Sequence, residues 1–139
     1  MPSLRVLFLC THNSARSQIA EAVARHLGNG RVEAFSAGTH PSRVHPDAIA
    51  VLQSHGIKTD DLQSQDLADY LHSAFDYVIT VCDNARDACP NFPGAGVQLH
   101  WSFPDPSAHT EEDARTHAFG MVYEGMVQRI TKLLQESTP

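Results

Sequence analysis

Cysteine is scarce in this chain: 139 residues carry three, Cys10, Cys82 and Cys89. An odd count with no secretory leader does not suggest a disulfide framework. No C-x2-4-C pair occurs, and the nine histidines are scattered without ligand spacing, so zinc is not expected. Long apolar runs are missing as well. Nothing reaches the length of a membrane span, and the N-terminus lacks a basic stretch followed by an apolar one. Positive charge is also short. The formal net charge is -6, which argues against nucleic acid as the main partner. An anionic ligand would need a local positive site, because the global field opposes it. These absences predict a cytoplasmic protein without membrane or nucleic-acid partners. Its thiols are then buried, metal-bound or reactive, and their positions must decide.

What is present alternates. Residues 4–9, LRVLFL, read as an almost wholly apolar strand of the kind buried on both faces of a parallel sheet. From Ser17, the residues Ile19, Ala20, Val23 and Leu27 fall at helical spacing, and Gly28 is the stop. RVEAFSAG (31–38) reads as a second strand and HPDAIAVLQSHG (45–56) as a helix with Pro46 in its first turn. FDYVITVC (75–82) is a third strand and VQLHW (97–101) a fourth. Thr110 and Asp113 resemble a capping box. Behind them Phe119, Val122, Tyr123, Met126, Ile130, Leu133 and Leu134 make one apolar face of a long helix. With a short helix expected after Cys82, the order predicts a single α/β domain over 1–139, built on a four-stranded parallel sheet flanked by helices.

In an open sheet of this kind, ligands bind beyond the carboxyl ends of the strands, where loops meet helix N-termini. Cys10 stands at such an end. The loop Thr11, His12, Asn13, Ser14 and Ala15 separates it from Arg16, and the helix follows. Backbone N–H groups and the helix dipole converge there and favour negative charge. Comparable settings lower a cysteine pKa to roughly 3.5–7.5. Arg16 can clamp a tetrahedral oxyanion in bidentate fashion, and Ser17 can donate its hydroxyl to the sulfur. Such a loop binds an oxyanion and attacks it with sulfur.

The C-x5-R-S pattern resembles the anion loop of the low-molecular-weight protein tyrosine phosphatases and of the arsenate reductases that share their fold. CTHNSARSQIAEA (10–22) is similar to the arsenate reductase version, whose helix opens with S-Q-x-A-E. The resemblance implies that Cys10 is the nucleophile and Arg16 the oxyanion clamp. Two departures stand out: His12 where glycine is common, and Ala15 where a cysteine often precedes the arginine. HWSFPDPS (100–107) contains Asp105-Pro106, which resembles the general-acid aspartate of this fold. Expelling oxygen from an oxyanion needs such a proton donor. The tyrosines that usually follow that dipeptide in the phosphatases are missing.

Cys82 ends the third strand, so it too lies at the carboxyl-end side of the sheet. Cys89 follows two helical turns later, on the order of 10 Å along an axis. A disulfide needs Cα atoms within roughly 7 Å, so a Cys82–Cys89 pair requires the DNARDA segment between them to unwind. The three-cysteine pattern resembles thioredoxin-coupled arsenate reductases. That resemblance implies arsenate as substrate, phosphate or sulfate as competing oxyanions, and a Cys10–Cys82–Cys89 relay reduced by thioredoxin. It implies no tightly bound cofactor, although some relatives hold potassium beside the loop. Asn13, Glu21 and Ser36 match positions used there, with Ser64 or Asp66 completing the set. The rivals are a low-molecular-weight phosphatase, a reductase coupled to mycothiol or to glutathione with glutaredoxin, and a non-catalytic oxyanion-binding or redox-sensing module.

Overall fold

The computed structural model describes residues 4–82, 92 and 94–137. Its centre is a four-stranded sheet in the order β2-β1-β3-β4, every pair parallel. The strands are β1 (Leu4–Cys10), β2 (Val32–Gly38), β3 (Phe75–Thr80) and β4 (Ala95–His100). The apolar run of β1 has the expected consequence. Val6, Leu7 and Phe8 are wholly buried, because a central parallel strand is covered on both faces. At the edge, β4 is largely exposed along its middle.

Among the described residues, three helices accompany the sheet: α1 (Arg16–Gly28), α2 (Pro46–Ser54) and α3 (Glu112–Ser137). Helix α1 packs on β1 and β2 and against α3, and α2 touches both other helices. The stripe read from the sequence faces the core: Phe119, Val122, Met126, Ile130 and Leu133 are all buried. Their spacing of three and four residues keeps them on one side of α3. His45 caps α2, its Nδ1 accepting the Asp47 N–H at 3.0 Å, with Pro46 at the first helical position. Helix α3 begins at Glu112, so the expected Thr110–Asp113 box is not in register with its start. Thr110 instead offers its carbonyl to Arg115 Nη1 at 3.3 Å. Two short 3-10 turns, Leu67–Tyr70 and Pro106–Ala108, were not expected. Each opens on an aspartate, Asp66 or Asp105, whose carboxylate accepts the N–H two residues on. The helix expected after Cys82, with Cys89 in it, lies outside the described residues.

The strand ends set the site. Cys10 pairs with Gly38 across β1 and β2. Val81 N–H reaches Leu9 O at 2.9 Å, and Trp101 N–H reaches Thr80 O at 2.8 Å. These bonds continue the ladders just past the last paired residues. They bring Cys10, Cys82 and the 102–106 segment to one edge of the sheet.

Candidate active site

The loop from Cys10 to Arg16 is held from three sides. The 39–45 segment donates N–H groups to it: His40 to Thr11 O (2.8 Å), Ser42 to His12 O (3.1 Å) and His45 to Ser14 O (2.9 Å). The 63–65 segment adds Ser64 Oγ to His12 O at 3.1 Å and Gln65 N to Asn13 Oδ1 at 2.7 Å. From α1, Gln18 Nε2 donates to Asn13 O and Asn13 Oδ1, both at 3.0 Å, and to Gln63 O at 2.8 Å. Asn13 has φ 48°, in the left-handed region that asparagine tolerates better than most residues. Gly38 is needed for a separate reason. A Cβ there would lie 2.6 Å from Thr11 O and 2.9 Å from Asn13 N, so only glycine lets β2 approach the loop this closely.

With its carbonyls spent on neighbours, the loop feeds into α1 at Ala15. No side chain caps that helix N-terminus. Orphan N–H groups and the positive end of the dipole therefore face the loop, the arrangement that receives an oxyanion. Arg16 stands at the first helical position and donates Nη1 to Phe103 O at 3.0 Å, which ties it to the segment that carries Asp105. The Phe103 ring lies against Gly125 of α3, where a Cβ would meet Cε1 at 2.6 Å. Ser17, fully buried, accepts Asn13 Nδ2–H at its Oγ (2.8 Å), which leaves its own O–H available as a donor. His12 is exposed at the rim, its Nδ1 3.1 Å from His40 O.

Cys10 and Cys82 are both buried. The Cys82 sulfur lies 3.4 Å from Thr11 Oγ1 and makes a side-chain hydrogen bond with Cys10. That contact corrects an expectation. The neighbouring Cys82 and burial push the Cys10 thiol up, outweighing Arg16 and the Thr11 N–H, which pull it down. The loop alone would lower it; a second sulfur against it reverses the direction, because the first thiolate disfavours ionisation of its neighbour.

For Asp105, burial raises the carboxyl. The Ser107 hydroxyl at 2.7 Å, the Ser107 N–H at 3.0 Å, and the charges of Arg16 and His12 outweigh it. The group sits below the usual carboxylate range and is ionised until a further negative charge arrives beside it. Both Ser107 bonds fall on Oδ1, which leaves Oδ2 to carry a proton.

Sequence reasoning passed over Gln18, Gly38, Phe103 and Ser107. Of these only Gly38 had a signal, a glycine ending a strand directly beside the cysteine strand. The residues matched to a potassium site divide. Ser36 Oγ donates to Glu21 Oε1 at 2.8 Å, but Glu21 Oε2 faces Arg25 Nη1 at 3.0 Å. Asn13 Oδ1 accepts two N–H bonds, Ser64 braces His12, and Asp66 caps its own turn. Gln18 Oε1 is buried without a hydrogen-bond partner, a lone acceptor. Among the described residues, no group of three or more His, Cys, Asp and Glu side chains is placed to hold a metal ion, and no helix is long and apolar enough to cross a membrane.

The geometry agrees with the likenesses of the chain. The family model for low molecular weight phosphotyrosine protein phosphatase matches residues 5–138. An arsenate reductase of Shouchella clausii is 36% identical over 133 residues, 94% of either chain. The glutaredoxin arsenate reductase of Synechocystis is 33% identical, over 93% of this chain and 98% of its own. Among solved structures, the thioredoxin-dependent arsenate reductase of Corynebacterium glutamicum superposes with a TM-score of 0.78 at 32% identity. That match covers 97% of this chain, which spans only 62% of the other. With a family model that spans nearly the whole chain, the chain belongs to the low-molecular-weight phosphotyrosine protein phosphatase family.

Proposed function

We propose that this chain is an arsenate reductase. The observation that carries the reading is the second thiol, Cys82, buried against Cys10 and in contact with Thr11. A phosphatase needs one nucleophile; a buried neighbouring thiol serves to pass electrons. The names of the Shouchella, Synechocystis and Corynebacterium relatives support the same reading.

Arsenate enters the loop with its charge on the N–H groups and Arg16. As arsenate binds, the Cys10 proton passes to Asp105; the thiolate then attacks arsenic while Asp105 gives that proton to the departing hydroxyl, and water leaves from a Cys10–arsenate adduct. Cys82 then attacks the Cys10 sulfur. A Cys10–Cys82 disulfide forms, the sulfur–arsenic bond breaks, and its electron pair reduces arsenic(V) to arsenite. Cys89 next attacks Cys82, releasing Cys10 as thiolate and leaving a Cys82–Cys89 disulfide. A thioredoxin dithiol reduces that bond by exchange. Such a cycle belongs in a reducing cytoplasm, where all three thiols are restored after each turnover. Phosphate and sulfate, also tetrahedral oxyanions, compete for the loop without reaching the redox steps.

The test is NADPH oxidation with arsenate, thioredoxin and thioredoxin reductase, run beside a glutaredoxin–glutathione system and p-nitrophenyl phosphate hydrolysis. Arsenate-dependent oxidation through thioredoxin is expected. Oxidation only with glutaredoxin, as the name of the Synechocystis relative suggests, would move the electron donor. Hydrolysis without any oxidation would make the chain a phosphatase. Cys89→Ser should release one arsenite per chain and then stop.

A further inference from the structure

Glu21 is an acid inside the protein, 3% exposed, one turn along α1 from Gln18. A carboxylate there needs a counter-charge, since burial without one is costly. The chain provides it four residues on. Arg25 Nη1 lies 3.0 Å from Glu21 Oε2 and 2.9 Å from Asp61 Oδ2, while its Nε and Nη2 hold Ala34 O at 3.2 and 3.0 Å. One guanidinium thus joins α1, β2 and the 59–62 turn.

These same elements brace the oxyanion loop. Helix α1 carries Gln18, β2 ends in Gly38, and the segment after Asp61 supplies Ser64 and Gln65. A potassium ion at Glu21 would meet a carboxylate whose two oxygens already face Arg25 and Ser36, and it would be repelled by the guanidinium beside it. Of the remaining residues matched to that ion, Asn13 Oδ1 already accepts two N–H bonds, the Ser64 hydroxyl is given to His12 O, and Asp66 Oδ1 caps its own turn. The residues present do not fit the ion.

We propose that Arg25 is a positioning residue that supplies the cation at Glu21 from within the chain, so that the oxyanion loop keeps its shape without potassium. The proposal rests on the loop being an oxyanion site and is independent of which thiol reduces the enzyme.

Inorganic phosphate is the probe. Its dissociation constant and the thermal midpoint would be measured in potassium chloride and in tetramethylammonium chloride at equal ionic strength, for the wild type and Arg25→Gln. Arsenate KM and kcat would be measured alongside. The wild type should give the same constants and midpoint in both salts. Arg25→Gln should lose roughly tenfold in phosphate affinity in tetramethylammonium, the scale of one charge-assisted hydrogen bond, and potassium should recover most of it. The loss should appear in KM more than in kcat. A wild type whose phosphate affinity depends on potassium would overturn the proposal, and so would a folded Arg25→Gln that binds phosphate normally in both salts. Should Arg25→Gln fail to fold, the pair Glu21→Gln with Arg25→Gln removes both charges and is expected to bind phosphate indifferently to the salt; a response to potassium in that pair would also overturn it. Phosphate binding without arsenate reduction would fault the reductase reading and leave this one standing.

Discussion

Gln18 donates its side-chain amide to both oxygens of Asn13, the backbone carbonyl and Oδ1, at 3.0 Å each. The same nitrogen reaches Gln63 O at 2.8 Å, so one buried amide fixes the left-handed turn of the loop and the strut beside it. Replacing it by methionine conserves volume and removes the donor. Gln65 N still bonds Asn13 Oδ1, but the two backbone carbonyls lose this partner in the interior, at about 1–3 kcal/mol for each group left unsatisfied. Gln18→Met should therefore lower the thermal midpoint by several degrees. It should also raise arsenate KM and phosphate Kd together by roughly tenfold, since distortion of the loop weakens the bound ground state. An unchanged phosphate affinity in a folded variant would remove Gln18 from the loop architecture.

The contact between the two sulfurs makes a prediction opposite to ordinary cavity-creating reasoning. Cys82 is the largest influence holding the Cys10 thiol up, with burial second. Cys82→Ala takes away the first and opens some of the second, while Arg16 and the Thr11 N–H remain. The Cys10 pKa should fall. Alkylation of Cys10 by iodoacetamide, followed by mass spectrometry across pH, should then reach half-maximal rate at lower pH in the variant than in the wild type. A shift to higher pH would mean that Cys82 stabilises the thiolate instead.

The fold was legible from the sequence because its signals are local. An apolar β1, a three-and-four stripe on α3 and β-branched β3 each state their environment in a few residues. The placement of Cys10, Arg16 and Asp105 at one edge of the sheet was legible for a similar reason, each sitting at a strand end or turn marked by neighbouring residues. Gln18, Arg25, Phe103 and Ser107 were not. Gln18 and Arg25 read as ordinary helix positions, and their meaning comes from partners 45 and 36 residues away, Gln63 and Asp61. Phe103 acts through its carbonyl, which carries no side-chain signature at all. The direction of the Cys10 shift was missed because it depends on the distance between two strand ends, which spacing along the chain does not encode.

Glu21 should leave a mark on the pH dependence of stability. Burial, only partly offset by Arg25 and Ser36, raises its pKa from 4.5 to about 7. The folded state therefore binds this proton more tightly than the unfolded chain. The stability it contributes is fully present below about 4.5 and is lost as pH rises through about 7, on the order of 3 kcal/mol in all. Thermal midpoints of the wild type should fall between about pH 5 and pH 8 more steeply than those of Glu21→Gln, which has no proton to lose there. Parallel profiles would show that Arg25 neutralises the carboxylate fully.

Asp105 combines two demands that its surroundings set against each other. In the proposed reaction it donates a proton, yet with Arg16, His12 and both Ser107 donors around it the carboxyl rests below its usual range. The incoming oxyanion resolves this by placing negative charge beside the group and raising its affinity for a proton only when there is a leaving oxygen to receive it. Asp105→Asn keeps the shape and cannot donate, so kcat for arsenate should drop by roughly 10²–10⁴ with phosphate binding little changed. Ser107→Ala separates the tuning from the proton itself. It removes the 2.7 Å hydroxyl donor and keeps the backbone N–H, so the Asp105 pKa of the free enzyme should rise. The basic limb of kcat/KM, where the general acid of the free enzyme loses its proton, should move to higher pH while the plateau falls only a few-fold. A limb that stays in place as the plateau collapses would mean that Ser107 holds the turn and does not tune the acid.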